Sequence, residues 1–109
     1  MKPYTFGGDT STTTSITIDP NYNHLVAGLT IYTDDTKTTI ATATTGNVAL
    51  EGRVAGTQGW NSLDGSPVDV SDDSSYVSTS IPLVEVRAVP DSIVGDASYY
   101  EVVITANSH

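Results

Sequence analysis

Two short stretches place charges where their spacing could do chemistry. Glu51-Gly52-Arg53 and Glu85-Val86-Arg87 each carry opposite charges two residues apart, and residues two apart share one face of a strand. If two of Glu51, Glu85 and Glu101 met across a cleft, they would supply the acid and base of a glycoside hydrolase. An arginine beside a carboxylate works against that, because it stabilises the ionised form where such an enzyme needs one protonated acid. The same spacing suits cross-strand ion pairs that fix strand register, and this is the expected role.

Nucleophilic catalysis needs a base beside the nucleophile, and the histidines are His24 and His109 alone, with no Gly-x-Ser-x-Gly elbow. No catalytic residue is assigned, and an enzyme is not expected. Asp64, Asp69, Asp72 and Asp73 are loop carboxylates of the kind that surround Ca²⁺, but they lack the glycine and glutamate spacing of an EF-hand. They are read as turn residues that bond their own backbone, so neither a metal nor a cofactor is expected. An exposed Trp60 beside Tyr99 or Tyr100 would form a sugar-binding platform. A Trp60 packed between two sheets is the expected alternative.

The elements that must position these residues are strands. Asp19, Asp34, Asp35, Asp64, Asp91 and Asp96 stand beside Gly, Pro, Asn, Ser or each other, as turn residues do. Between the turns run segments rich in Val, Ile, Thr and Tyr, which suit a pleated surface. Over 24–33, Leu25, Ala27, Leu29 and Ile31 alternate onto one face, and Tyr100, Val102, Ile104 and Ala106 do the same in the last segment. Val48, Leu50 and Val54 are expected to point inward, opposite Ala49, Glu51 and Arg53. Thr45-Gly46-Asn47 reads as the loop of a hairpin between 38–44 and 48–54. Pro82 and Pro90 are expected at strand limits.

The pattern predicts an all-β fold, a single antiparallel β-sandwich of Ig-like or jelly-roll-like type with about seven to eight short strands. Residues 1–15 are polar and rich in Gly, Thr and Ser, and read as an extended N-terminal arm preceding a sandwich domain over 16–109. An arm of this kind is held by another chain or by its own domain's edge, and the inter-chain case is expected. Its Tyr4 and Phe6 are then candidate anchors in a partner's pockets, with Trp60 as a further partner-binding residue.

With 109 residues and no cysteine, one domain must hold itself together by packing and strand pairing. Four Lys and Arg against thirteen Asp and Glu give a formal charge of −9, which repels phosphate backbones and makes nucleic acid an unexpected partner. The opening residues lack the apolar stretch of a secretory signal, and no apolar run approaches membrane-spanning length. Synthesis in the host cytoplasm and no membrane partner are the expectation.

Three stretches carry a family resemblance. Val48 to Leu63 (VALEGRVAGTQGWNSL), Ile81 to Ala88 (IPLVEVRA) and Ser98 to Asn107 (SYYEVVITAN) resemble segments of small β-sandwich virion proteins of tailed bacteriophages. The resemblance implies a capsid decoration or cement protein on the outer surface of the head, bridging capsid subunits. Its implied partners are the major capsid protein and copies of itself in a homotrimer, and its implied place is the capsid surface of the virion. A carbohydrate- or receptor-binding module of a tail or fibre is the alternative.

Overall fold

A computed structural model of the chain describes residues 1–71 and 76–108. The turn read at 72–75, with the aspartates Asp72 and Asp73, and the terminal His109 lie outside the described residues. Nine strands form among the rest: β1 (Lys2–Asp9), β2 (Thr14–Thr17), β3 (His24–Tyr32), β4 (Thr44–Arg53), β5 (Asn61–Ser62), β6 (Val68–Asp69), β7 (Tyr76–Thr79), β8 (Glu85–Gly95) and β9 (Tyr99–Asn107). All pair antiparallel, in one sheet ordered β1-β9-β3-β7 and a second ordered β2-β8-β4-β5, with β6 also on β4. The expected all-β sandwich is the fold, with more strands than were read.

The period-two faces are where the sequence places them. Leu25, Ala27 and Ile31 of β3, and Tyr100, Val102, Ile104 and Ala106 of β9, are buried against Val48 and Leu50 of β4 and Val86 and Ala88 of β8. Each fully buried large apolar side chain contributes about 1.5–3 kcal/mol relative to exposure. Val54 departs from its expected inward place: β4 ends at Arg53, and Val54 is exposed.

The segment read as an arm is part of the sandwich. β1 pairs with β9 from Lys2↔Ala106 to Asp9↔Tyr99, and β2 pairs with β8 from Thr14↔Ala88 to Thr17↔Glu85. Alternation explains it: Tyr4 and Phe6 lie on one side of β1 and pack against the core, and the Tyr4 hydroxyl accepts the Asp19 N–H at 3.0 Å. Two well-placed aromatics and a continuous ladder outweigh a composition that reads as flexible.

The hairpin read at Thr45-Gly46-Asn47 is absent. β4 begins at Thr44, runs straight through those residues and pairs with β8, and residues 38–43 contribute a single isolated bridge, Tyr32↔Ile40. Gly46 marks a β-bulge instead: the register shifts between Thr45 and Asn47, Gly46 takes φ +116°, and Ser92 opposite takes φ 56°. A Cβ at Gly46 would collide with the Ser92 carbonyl oxygen, so glycine is required there.

Pro90 likewise lies within β8, opposite Val48. The Leu50 N–H donates to the Ser66 hydroxyl and its carbonyl accepts from Leu63, so this parity of β4 points away from β8. Pro90 therefore turns its nitrogen away from β4 as well, on the side where β2 has already ended at Ala88. No ladder bond is lost, which is why proline is tolerated.

Candidate functional site

The sandwich presents two outward faces. On the sheet containing β4 and β8, the register puts Glu51 opposite Arg87 and Arg53 opposite Glu85. Arg87 Nε donates to Glu51 Oε1 at 2.7 Å, while Arg53 Nε and Nη2 donate to Glu85 Oε1 at 3.2 and 3.0 Å. The expected cross-strand ion pairs are therefore present. Arg53 Nη1 also donates to the Thr57 carbonyl at 2.8 Å, tying down the loop that leads to Trp60.

Trp60 lies over this pair, its ring centroid 4.4 Å from the Arg87 guanidinium carbon and 5.9 Å from that of Arg53. It is half-buried outside the sheet, not packed between the sheets as expected. The reason is the guanidinium pair, which offers a flat cationic seat for the indole face. The sugar platform does not assemble: Tyr100 is fully buried and Tyr99 lies on the opposite sheet.

The outward face of the other sheet differs in character. Register aligns Thr5, Val103, Gly28 and Tyr76 in one row across all four strands, flanked by the row Pro3, Thr105, Val26 and Ser78. Val103 is 43% exposed and Tyr76 66% exposed, and a Cβ built on Gly28 meets nothing within 4 Å. Among the described strand residues the formally charged side chains on this parity are Asp9 at one corner and Glu101, and the exposed Asp64, bridged to Ser78, adds a carboxylate beside β7. Lys37 Nζ meets Glu101 Oε2 at 2.7 Å, and that hydrogen bond raises the lysine's pKa. Tyr32 and Tyr99 close the same end, paired directly. In a chain of net charge −9, the row Thr5-Val103-Gly28-Tyr76 carries no formal charge, and Tyr32, Tyr76 and Tyr99 share its parity; uncharged and aromatic side chains are what distinguish the core of a protein interface.

The remaining candidates are structural. Tyr4 and Phe6 face their own core. Asp64 exchanges two backbone bonds with Ser78, and Asp69 accepts the Ser71 N–H and hydroxyl. Among the described residues no three metal-ligating side chains gather. A groove of about 260 Å³ opens between the ends of β3 and β6, lined mainly by Leu29, Ile31, Ile40, Ala41, Val68 and Val70. His24, at the start of β3, pairs with Asn107 in the ladder.

A family model described as a domain of unknown function, DUF7265, matches residues 8–109. The chain belongs to this family. Among characterised proteins, none matches the DUF7265 chain in sequence. Two solved structures are similar in fold. The SPBc2 prophage-derived protein YomS has a TM-score of 0.52 at 11% identity, over 96% of each chain. The PBSX exported protein XepA has a TM-score of 0.58 at 16% identity, over 96% of this chain and 37% of that one. The DUF7265 chain thus spans little more than a third of XepA.

Sequence reasoning missed the Thr5-Val103-Gly28-Tyr76 row. One signal was legible: Val103 breaks the polar parity of Glu101 and Thr105 in a strand whose other parity is wholly inward. That Gly28 and Tyr76 stand beside it depends on the neighbours β3 and β7, which no local pattern names.

Proposed function

We propose that this DUF7265 protein is a structural protein of a tailed-phage virion that works by attachment, as a capsid decoration protein seated on the outer surface of the head, and not as an enzyme. The observation that carries the reading is the exposed, uncharged row through Thr5, Val103, Gly28 and Tyr76 across all four strands of one sheet. Such a face suits a broad, shallow contact with a capsid surface better than capture of a small molecule, which calls for a concave site. The shared fold of a prophage-derived protein and a PBSX exported protein supports a phage setting, as does the likeness of its strands to decoration proteins. The acidic remainder of the surface keeps particles apart in solution. In this reading contact is made by a sheet face, and the arm-borne anchors Tyr4 and Phe6 are replaced by Val103 and Tyr76.

The test is to add purified protein to phage heads lacking it and measure occupancy. Saturable binding at a fixed ratio to the major capsid protein is expected, and it should fall for Val103→Lys while Trp60→Ala binds normally. Heads that take up no protein, or binding that ignores Val103→Lys, would reject the capsid assignment. Loss of binding with Trp60→Ala alone would favour the receptor- or glycan-binding alternative, in which the Trp60–Arg87 stack is the contact.

A further inference from the structure

We infer that the outer face of the sheet containing β4 and β8 is a sugar site, where the Trp60 indole and the two Glu–Arg pairs beneath it bind a neutral pyranose ring. The site lies on the sheet opposite the Val103 row. It therefore goes beyond the proposed attachment and stands independently of it.

The ground is what the ion pairs leave unused. Arg87 spends Nε on Glu51 Oε1, and Arg53 spends Nε and Nη2 on Glu85 Oε1. Among the described residues, Arg87 Nη1 and Nη2, Glu51 Oε2 and Glu85 Oε2 have no hydrogen-bond partner. No buried side-chain nitrogen or oxygen of the described residues goes unpartnered, so these four atoms open to solvent. Ser15 stands opposite Arg87, Thr17 opposite Glu85 and Ser62 opposite Glu51, and all three are exposed. The rows Ser15-Arg87-Glu51-Ser62 and Thr17-Glu85-Arg53 thus set donors and acceptors side by side.

Charge narrows the ligand. The two arginines and two glutamates balance, while the whole chain carries −9. An anion would meet both carboxylates and the field of the chain, and a cation would meet both guanidinium groups. What fits is a neutral molecule whose groups both donate and accept. A hydroxyl donates to a glutamate oxygen while accepting from the neighbouring arginine N–H. Adjacent hydroxyls of a sugar ring repeat that match, and the apolar C–H face of the ring lies against an indole.

Trp60 is held ready for this. Its ring centroid lies 4.4 Å from the Arg87 guanidinium carbon, and it is half-buried without packing on the core. The loop before it is pinned at Thr57, whose carbonyl accepts from Arg53 Nη1 and whose hydroxyl donates to the Val54 carbonyl. Ion pairs alone fix a register, and that task needs no indole above them outside the core. An aromatic wall already in place lowers the ordering cost of binding.

The test uses the full chain, with soluble oligosaccharides of glucose, galactose, mannose and N-acetylglucosamine as probes. Oligogalacturonate serves as an anion and oligomeric glucosamine as a cation. Binding is followed by ligand-observed NMR and by emission of the single Trp. At least one neutral oligosaccharide should bind saturably and shift Trp60 emission, with the charged oligomers weaker by about tenfold. Trp60→Ala, which removes no core contact, and Arg87→Lys, which keeps the charge but loses the planar fork, should each weaken binding about tenfold with cooperative melts retained. Val103→Lys, on the opposite sheet, should bind the sugar as wild type whatever it does to head occupancy. No binding of any neutral oligosaccharide, equal or tighter binding of a charged one, or binding that survives both Trp60→Ala and Arg87→Lys would overturn the inference.

Discussion

Gly28 offers the sharpest separation of folding from attachment. It sits within β3, between the buried Ala27 and the partly buried Leu29, with its missing side chain directed outward between Val103 and Tyr76. A Cβ there meets nothing within 4 Å, so replacing it adds no clash. Glycine within a strand costs roughly 0.5–1 kcal/mol relative to alanine, so Gly28→Ala should raise stability by that amount. For a domain of this size that is about 2–8 °C in Tm. Gly28→Arg should also leave the fold intact, but a long charged side chain at the middle of a flat contact forces the partner apart. Overpacking of that kind costs about 1–3 kcal/mol, or about 5- to 150-fold in Kd. Thermal melts followed by circular dichroism give the first number, and occupancy of heads lacking the protein gives the second. A Gly28→Arg protein that melts cooperatively and binds as wild type would refute the assignment of this face. A Gly28→Ala protein of lower Tm would refute the claim that the site is open.

Three further outcomes follow from named contacts. A double-mutant cycle on Glu51 and Arg87, whose side chains are 21% and 33% exposed, should give a coupling of about 0.2–1 kcal/mol. Arg87→Ala should in addition shift Trp60 emission by removing its seat. The Asp96 carboxyl is held below the ordinary aspartate value of 3.8, first by the Thr44 hydroxyl and then by the Thr42 and Ala43 N–H groups, against its own desolvation. A depressed folded pKa means stability that is present above the unfolded value and lost as pH falls through the folded one. Urea midpoints should therefore drop below about pH 4, and less steeply for Asp96→Asn; equal slopes would remove Asp96 from the account. The Tyr100 hydroxyl donates to the Thr12 carbonyl at 2.9 Å and lies 2.6 Å from the Thr14 hydroxyl, joining β9 to the opposite sheet. Tyr100→Phe leaves these groups unpaired and should cost about 1–3 kcal/mol in equilibrium unfolding.

Tyr100 and Trp60 also show how two aromatics of similar chemistry reach opposite fates. Tyr100 has an inward parity in β9, and its burial raises the phenol pKa while Thr14 and Thr12 satisfy its oxygen. Trp60 leaves the strand path in a loop, and two arginines from separate strands hold it outside. Reading both as one surface platform fails because a parity places the first and a tertiary cation pair places the second.

What the residues alone determined is the local geometry. Alternation over β3, β4 and β9 named the inward faces, and the Glu-x-Arg spacing in β4 and β8 named the charges that would meet. A strand of period two assigns each side chain to one face whatever its neighbour is. What the tertiary structure decided is who the neighbour is. The chain changes sheets on passing from β1 to β2, β2 to β3, β3 to β4, β6 to β7, β7 to β8 and β8 to β9, so nearly every pairing joins segments distant in sequence. The apparent hairpin at Gly46 became a bulge because β8 was the better partner. Residues read as an arm became β1 because β9 had a free edge and the core had room for Tyr4 and Phe6. The row Thr5-Val103-Gly28-Tyr76 exists only where four strands stand side by side. Local propensity acts over a few residues, whereas the free energy that selects partners comes from burial shared between segments far apart in the chain.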